Sequence, residues 1–289
     1  MRRRGWGHWL YLAPALFALG VFLVYPTINT IYLSFLDRRS EEFVGFDNYE
    51  KAFTKKPFLI AFRNNAIWLV VFTSVTVSLG LVLAVLLDRV RYEVVAKSII
   101  FLPMAISFVG AGVIWKFVYA FRPPGTAQIG FLNGIRNGLG FEPIAWLIER
   151  PWINNLALVV VGIWVWTGFS MVILSAAYKG IPKDMLEAAR IDGANEFQVF
   201  FHVTIPFLKS TLAVVTTTMI VFVLKVFDIV FVMTNGNFDT DVVANRMIKE
   251  MFQFRNMGMA SAIAVILLLA TLPAVVVNIR RFRAQEAVR

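Results

Sequence analysis

The chain has 289 residues, of which 58% are hydrophobic, 16% are charged and none is cysteine. Soluble domains have about 45–50% apolar and about 25% charged residues, so much of this chain must face lipid rather than water. The absence of cysteine excludes disulfides, thiolate metal sites and cysteine nucleophiles. The formal charge of +10 suits membrane topology and anionic headgroups, and it does not by itself indicate nucleic acid.

Six stretches that hold few or no charged residues predict six membrane-spanning helices, because about 20 apolar residues are needed to cross the hydrocarbon core. We place these spans at residues 9–36, 64–87, 98–121, 154–178, 210–233 and 257–279. The expected fold class is therefore an all-α polytopic membrane protein, with a single transmembrane domain over residues 1–289.

The first predicted span follows Arg2, Arg3 and Arg4, an arrangement that a secretory signal peptide also shows. Its apolar stretch is about twice as long as the core of a signal peptide and no cleavage-like boundary follows it, so a retained span is favoured. Lysine and arginine are denser in the connections at residues 1–8, 88–97, 179–209 and 280–289 than in the others. The positive-inside rule then predicts that both termini are cytoplasmic.

The fourth predicted span is rich in aromatic residues, among them Trp164, Trp166 and Phe169. Trp166 and Phe169 are three residues apart and can share one face of a helix. Packing between helices and contact with lipid explain such a face as well as contact with a solute does, so these residues alone leave both interpretations open.

The connection at residues 179–209 carries the strongest local pattern in the chain, which predicts two short helices. Asp184 can cap the first helix, with Glu187 at the spacing of a capping box. Gly193 can end that helix, and Asn195 can cap the second, which Pro206 is expected to stop.

The predicted surface of this connection combines small residues with aromatic residues. Ala188, Ala189 and Gly193 give it a face on which another backbone can approach closely, whereas Phe197, Phe200 and Phe201 lie in the second helix. One interpretation is a knob that inserts into a groove on another protein, because exposed aromatic residues in this number need a partner. The other is an amphipathic connector that lies on the membrane.

The fifth predicted span contains two charged residues, Lys225 and Asp228. A charged side chain at membrane depth costs at least a few kcal/mol, so it needs a partner or water. At a spacing of three residues the two can share a helix face and neutralise each other. Alternatively, they line a pathway for a polar solute.

The spacing of Glu187-Ala188-Ala189, Gly193 and Val203-Thr204-Ile205-Pro206 resembles the EAA loop of binding-protein-dependent ABC importer permeases. The stretch Val44-Gly45-Phe46-Asp47-Asn48-Tyr49 and the stretch from Phe227 to Gly236 resemble the sugar-importer branch, the maltose-type permeases. Asn237-Phe238-Asp239-Thr240, followed by Ala244-Asn245-Arg246-Met247, is most similar to the α-glucoside subgroup of that branch.

This resemblance implies the type I, MetI-like permease fold in a bacterial inner membrane, and a subunit that is not itself an enzyme. The transporter it implies contains a second permease subunit in a heterodimer, two cytoplasmic ATPase subunits and an extracytoplasmic sugar-binding protein. ATP and magnesium would bind to the ATPases, so this chain would hold no cofactor and no metal. Its partners would also include membrane lipid, and no nucleic acid. The substrate would be an oligosaccharide, of the α-glucoside type such as maltose, trehalose or sucrose.

The resemblance also implies roles for individual residues. The loop would couple this chain to the ATPase through Glu187, Ala188, Ala189, Asp192, Gly193 and Pro206. The substrate pathway would include Met104, Phe108, Trp166, Phe169, Lys225 and Asp228. The maltose permeases have an asparagine-rich stretch near the last two residues, whereas this chain has Val226 and Phe227. This difference argues against a contact pattern like that of the maltose permeases.

Three other functions are compatible with a chain of six spans. A permease for amino acids or glycerol phosphate would share the EAA loop, but the stretches around Phe46 and Phe231 argue for sugar. A secondary transporter would be expected to show internal repeats, and the sequence has none. A membrane-embedded enzyme would need a cluster of histidines or carboxylates, and His8 and His202 lie far apart.

Overall fold

The computed structural model describes residues 7–88, 90–149 and 152–286. Within these ranges the regular structure is helical, apart from one isolated β-bridge between Leu36 and Phe43. The predicted all-α class is therefore confirmed. Arg2, Arg3 and Arg4, which raised the question of a signal peptide, lie outside the described residues.

The helices are numbered in chain order. They are α1 (Gly7–Leu19, continued through Gly20–Val24 to Tyr25–Leu33), α2 (Asp47–Thr54), α3 (Lys56–Leu87), α4 (Glu93–Phe101, continued as Leu102–Ala105), α5 (Phe108–Val118), α6 (Phe131–Gly138), α7 (Ile153–Tyr178), α8 (Lys183–Ile191), α9 (Glu196–Leu224), α10 (Asp228–Met233), α11 (Val243–Ile248, continued as Lys249–Gln253) and α12 (Met257–Glu286).

Five helices in the described part of the chain are long and apolar enough to cross a membrane, namely α1, α3, α7, α9 and α12. The pair α4 and α5 would make a sixth span, bent by 101° at its break. At this break Ile106 and Ser107 have extended backbone angles, and the Ser107 hydroxyl accepts a hydrogen bond from the Gly110 amide at 3.1 Å. Ser107 thus caps α5 as a new helix rather than continuing α4.

Pro206 does not end a helix, contrary to the expectation from the sequence. Helix α9 runs without interruption from Glu196 to Leu224, through a π-helical turn at Phe200–Thr204. This wider turn lies directly before the proline and relaxes the hydrogen-bond ladder where the proline ring would otherwise clash. Pro26 follows a π-helical turn at Gly20–Val24 in the same way.

The fifth span is broken, although the sequence predicted one helix over residues 210–233. Helix α9 ends at Leu224, the backbone leaves the helical conformation at Phe227, and α10 begins at Asp228. The Asn65 side chain on α3 donates to the Val223 carbonyl at 3.1 Å, so this carbonyl is satisfied despite the break.

The chain forms two compact units, residues 1–59 with 246–269 and residues 60–245 with 270–289. In the first unit the buried Asn48 amide donates to the carbonyls of Ser34 and Leu36, at 2.9 and 2.7 Å. Arg246 pairs with the buried Glu250, and its guanidinium also lies over the ring of Phe58. Side chains of α1 in the apolar window are not buried, as expected for a helix in lipid.

The core of the second unit lies between α3 and α7. Trp68 and Phe72 of α3 are fully buried and pack against Gly162 of α7, where an added Cβ would lie 2.8 Å from the Trp68 ring. Further along, α5 packs on α10 with Gly112 against Val232. The two short helices that follow the breaks in the third and fifth spans therefore contact each other.

Candidate functional site

An aromatic cluster lies where the two broken spans meet α7. The Trp166 ring centroid is 6.3 Å from that of Phe108, 5.4 Å from that of Phe169 and 4.8 Å from that of Phe222. Phe108 is the first residue of α5, after one break, and Phe222 lies three residues before the other break at Lys225. Three residues that the sequence assigned to a pathway, Phe108, Trp166 and Phe169, are thus brought together.

Phe222 was missed by the sequence-based reasoning, although it contacts both Phe108 and Trp166. Its ring also lies 5.2 Å from that of the buried Phe72 and so joins the cluster to the core. The sequence pointed to Phe222 only through its position three residues before Lys225 on the same predicted span. For that span the sequence analysis named the two charged residues as pathway residues and not Phe222.

The indole Nε1 of Trp166, within this cluster, is buried and has no hydrogen-bond partner among the described residues. The indole of Trp68 and the hydroxyls of Thr73, Thr76 and Ser170 are also buried without such a partner, but Trp68 and Ser170 pack in the core between α3 and α7. A buried donor without a partner costs about 1–3 kcal/mol, so the Trp166 indole can gain from a hydroxyl group of a ligand. The aromatic faces next to it can stack on apolar C–H surfaces.

Lys225 and Asp228 are not on one helix face, because α9 ends between Phe222 and Lys225 and α10 begins only at Asp228. Within the described ranges no ion pair joins them, so of the two alternatives the structure gives no support to mutual neutralisation. Lys225 is exposed and Asp228 is half-buried. Both remain at the break beside Phe222 and are available to a polar solute.

Met104 was also predicted to line the pathway. It is not aromatic and takes no part in the ring contacts of the cluster. It is half-buried in the single 3₁₀ turn Leu102–Ala105 that ends α4. Just before this turn, the backbone of Ile100 and Phe101 packs closely against Gly168 of α7. Met104 therefore belongs to the wall of the third span, near its bend.

The predicted coupling connection folds as two helices, α8 and the start of α9. Asp184 does not cap α8, because the N-cap position is held by Pro182 and Asp184 lies in the first turn without a capping hydrogen bond. The C-terminal prediction is confirmed. Gly193 has φ +87°, its amide donates to the Arg190 carbonyl at 3.1 Å, and the Ala194 amide donates to the Ala189 carbonyl at 3.0 Å. This pair of bonds is a Schellman motif, which requires the left-handed conformation that glycine adopts readily.

Asn195 caps α9 as expected. Its side chain accepts from the Gln198 amide at 2.9 Å, and the Gln198 side chain accepts from the Asn195 amide at 2.8 Å. The Arg190 guanidinium bonds to Glu196 across the junction at 3.0 Å. Together these contacts hold the end of α8 against the start of α9.

The coupling residues are mostly presented to the exterior. Glu187, Ala188, Asp192, Gly193 and Pro206 are exposed, and Ala189 is half-buried. Large apolar side chains lie beside them, with Ile191 85% and Phe197 78% exposed. An exposed surface of this kind, with small residues between apolar ones, is typical of a protein interface.

A polar cavity of about 560 Å³ lies beneath α8, and Glu187 lines it. On its wall the Glu93 carboxylate of α4 accepts hydrogen bonds from Lys97 and, at 2.7 Å, from Lys179 at the end of α7. This contact with Glu93 raises the pKa of the Lys179 ammonium above its ordinary value. Lys97 also bonds to Ser175 of α7. The start of the third span is therefore tied to the end of the fourth directly below α8.

On the other side of the second unit, four asparagines hold the segment that follows α10. Asn64 donates to the carbonyls of Asp239 and Asp241, and Asn154 donates to the carbonyl of Phe238. Asn155 donates to Asp239, and the Asn65 carbonyl oxygen accepts from the Val243 amide at 2.8 Å. Because these partners are far apart in the sequence, residue spacing gave no signal for this network.

Comparison with known proteins places residues 57–283 within the family described as "binding-protein-dependent transport system inner membrane component". The chain is 62% identical over 280 residues to the osmoprotective compounds uptake permease protein GgtC of Synechocystis sp., and the match covers 97% of this chain and 100% of that protein. It is 48% identical over 273 residues to the alpha-glucoside transport system permease protein AglF of Rhizobium meliloti, covering 94% and 81% of the two chains.

Among solved structures, the chain resembles a subunit of a bacterial ABC transporter involved in the import of the acidic polysaccharide alginate. The TM-score is 0.80 at 23% identity, and the match covers 97% of this chain and 96% of that one. At this level of identity the likeness shows the fold alone, and it agrees with the importer permease fold expected from the sequence.

Proposed function

The chain belongs to the family of binding-protein-dependent transport system inner membrane components, and from this premise we propose that it forms part of the transmembrane pathway through which an ABC importer moves a small α-glucoside. It is an inner-membrane transport component of the sugar permease type and not an enzyme. The aromatic cluster around Trp166 carries the proposal for the pathway, because it combines stacking faces with one unpaired indole donor beside the breaks of two spans.

The substrate class is narrowed by two relatives of this chain. One is described as a permease for osmoprotective compounds and the other as a permease for α-glucosides. Trehalose and sucrose satisfy both descriptions, since each is a neutral α-glucoside that can act as an osmoprotectant. The aromatic cluster supports a neutral solute, because its rings can stack on the C–H surfaces of a sugar and the Trp166 indole is an unpaired donor. Lys225 and Asp228 add one charge of each sign at the break.

The partners follow from the same proposal. A second, related permease completes the pathway, two ATPases bind ATP and magnesium on the cytoplasmic side, and an extracytoplasmic binding protein delivers the sugar. Both termini are cytoplasmic in this arrangement. Helix α8 inserts into the ATPase, with Glu187 and Asp192 making polar contacts and with Ala188, Ala189 and Gly193 allowing close approach.

The charged cluster below α8 supports a route from the ATPase to the pathway. A movement of α8 acts on the ends of α4 and α7, which Glu93 joins to Lys97 and Lys179. Helix α7 carries Trp166 and Phe169, so a shift of its cytoplasmic end changes the aromatic cluster. This route needs contact between rigid helices only, without any chemistry in the chain itself.

Competition in a transport assay tests the proposed substrate. The assembled transporter in vesicles takes up labelled trehalose or sucrose, and unlabelled trehalose, sucrose and maltose are added as competitors. Glycine betaine, an osmoprotectant that is not a sugar, serves as the contrasting competitor. We expect the glucosides to compete and glycine betaine not to compete. Competition by glycine betaine alone would contradict the glucoside assignment.

A further inference from the structure

Helix α6, in the connection between the third and fourth spans, carries apolar side chains that the chain leaves uncovered. Phe131 is 66% exposed, Ile135 48% and Leu139 68%. Spaced four residues apart, they form one stripe along the helix and onto its C-cap residue, Leu139. A short helix with one exposed apolar stripe needs a partner that covers it.

The opposite face of α6 is fixed to the protein by the fully buried Asn133. Its amide group donates to the carbonyls of Ala120 and Ile144 at 3.0 and 2.9 Å, and its oxygen accepts from the Ile144 amide at 2.9 Å and from the Trp146 indole at 3.2 Å. At the start of the helix, Gly130 lies so close to Ala120 that an added Cβ would be 2.0 Å from the Ala120 carbonyl oxygen. The apolar stripe is therefore held outward and cannot turn into the core.

The stripe continues into an apolar groove of about 640 Å³ between α5, α6 and α7. Residues lining this groove include Ile114, Trp115, Phe131, Trp146, Leu156 and Val160. The hydroxyl of Tyr119, which also lines it, donates to the Ala157 carbonyl at 3.0 Å and is satisfied within the chain. Phe131 belongs to both surfaces and joins the stripe to the walls of two spanning helices.

We propose that α6 lies in the outer interface of the bilayer, with its stripe among lipid acyl chains, and that one acyl chain occupies the groove. A protein partner would be expected to form about one hydrogen bond per 100–200 Å² of interface, whereas this surface offers side chains that are almost all apolar. Trp152 is the N-cap residue of α7 and is exposed, and Trp146 lines the groove, so both tryptophans are placed for the aromatic belt of a membrane interface. Arg136, the charged residue of α6, is turned to the protein, where its guanidinium donates to the Glu142 carbonyl at 3.1 and 3.0 Å.

Spin labelling tests the stripe, because a cysteine introduced into this cysteine-free chain is its only thiol. Ile135→Cys and Leu139→Cys place the label on the stripe, and Asn137→Cys places it on an exposed position of the other face. The labelled chains are measured in the assembled transporter in vesicles, with the thiols of the partner subunits replaced by serine. Frequent collisions of the label with oxygen indicate that it lies in lipid, and frequent collisions with a water-soluble nickel chelate indicate that it lies in water.

We expect oxygen collisions to exceed nickel collisions several-fold at residues 135 and 139, and the reverse at residue 137. A label on Leu156→Cys in the groove should also collide with oxygen and not with nickel. Nickel collisions at the stripe would show that it faces water and would overturn the proposal. Protection from both reagents at the stripe or the groove would show that a protein covers that surface and would overturn it equally. Sugar uptake by each variant shows that the labelled chain is folded, and the outcome does not depend on which solute is transported.

Discussion

At the scale of single residues, Trp166 combines an aromatic face with an unpaired donor at the meeting point of two broken spans. Its ring contacts Phe108, Phe169 and Phe222, yet its indole Nε1 is buried and has no partner among the described residues. The core residue Trp68 also has an unpaired indole, so it is the position of Trp166 at the breaks, together with its free donor, that indicates binding. The unpaired donor is therefore the feature that a hydroxyl-rich ligand would satisfy.

Replacing Trp166 with phenylalanine keeps an aromatic ring in the cluster and removes the donor. We expect the apparent KM for sugar uptake to rise by about fivefold, the equivalent of one hydrogen bond of about 1 kcal/mol. Trp164→Phe is the matched control, because Trp164 lies two residues earlier, on the other side of α7, and contacts Trp115 in the apolar groove. Equal effects of the two substitutions on KM would argue that Trp166 acts through packing.

Asn65 shows why a break in a span cannot be located from local sequence. Its side chain donates to the Val223 carbonyl at the end of α9 and accepts from the Val243 amide, at separations of 158 and 178 residues. The residues at the break itself are compatible with a continuous helix. A polar side chain on a distant span stabilises the broken form instead.

We predict that Asn65→Ala lowers the free energy of unfolding by about 1–3 kcal/mol for each backbone group left without a partner. Thermal unfolding of the purified chain in detergent, compared with wild type, measures this loss. Asn137→Ala removes the same side chain from an exposed position of α6 and should leave the melting temperature unchanged. Similar melting temperatures for the two variants would mean that the Asn65 network contributes little.

At the scale of elements, residue spacing predicted the helices and some of their ends. The spans around α3, α7 and α12 were expected from apolar length, and Gly193 and Asn195 were identified as the end of α8 and the cap of α9. These features depend on a few neighbouring residues, so sequence reasoning can find them. The prediction that Asp184 caps α8 was wrong, because the N-cap position is held by Pro182, two residues earlier.

The features that sequence reasoning missed include one local distortion and several contacts between distant elements. Pro206 was expected to end a helix, but a π-helical turn before it lets α9 continue. The third span bends by 101° at its break. Phe222 of the fifth span contacts Phe108 at that break, although the two residues lie in spans that are far apart in the sequence. Composition is the same for a straight and a broken span, so these positions could not be derived from it.

Gly193 offers a test of α8 as a docking element. Gly193→Val places a β-branched residue at φ +87°, which a non-glycine residue adopts at a cost of about 1–2 kcal/mol, and so disturbs the end of α8. We expect this variant to lose the stimulation of ATP hydrolysis by loaded binding protein. Gly193→Asn should retain most of it, because asparagine tolerates the left-handed conformation. Full stimulation with valine would contradict a coupling role for this turn.

At the scale of the whole molecule, the second unit places two features along α7, one at its C-terminal end and one near its middle. At its C-terminal end, Lys179 and Ser175 connect to α4 beneath α8. Farther along the same helix, Trp166 and Phe169 form the aromatic cluster with residues at the two breaks. A single rigid helix thus links the surface proposed to meet an ATPase with the wall proposed to meet a sugar.

Uptake into vesicles of defined composition tests this account most directly. The chain is reconstituted either alone or with its partner permease, the ATPases and the sugar-loaded binding protein, and accumulation of labelled trehalose or sucrose is followed with and without ATP. The account predicts uptake by the complete assembly with ATP, and none when the ATPases are inactive or absent. Sugar uptake by this chain alone, driven by its own gradient or by an ion gradient, would contradict it.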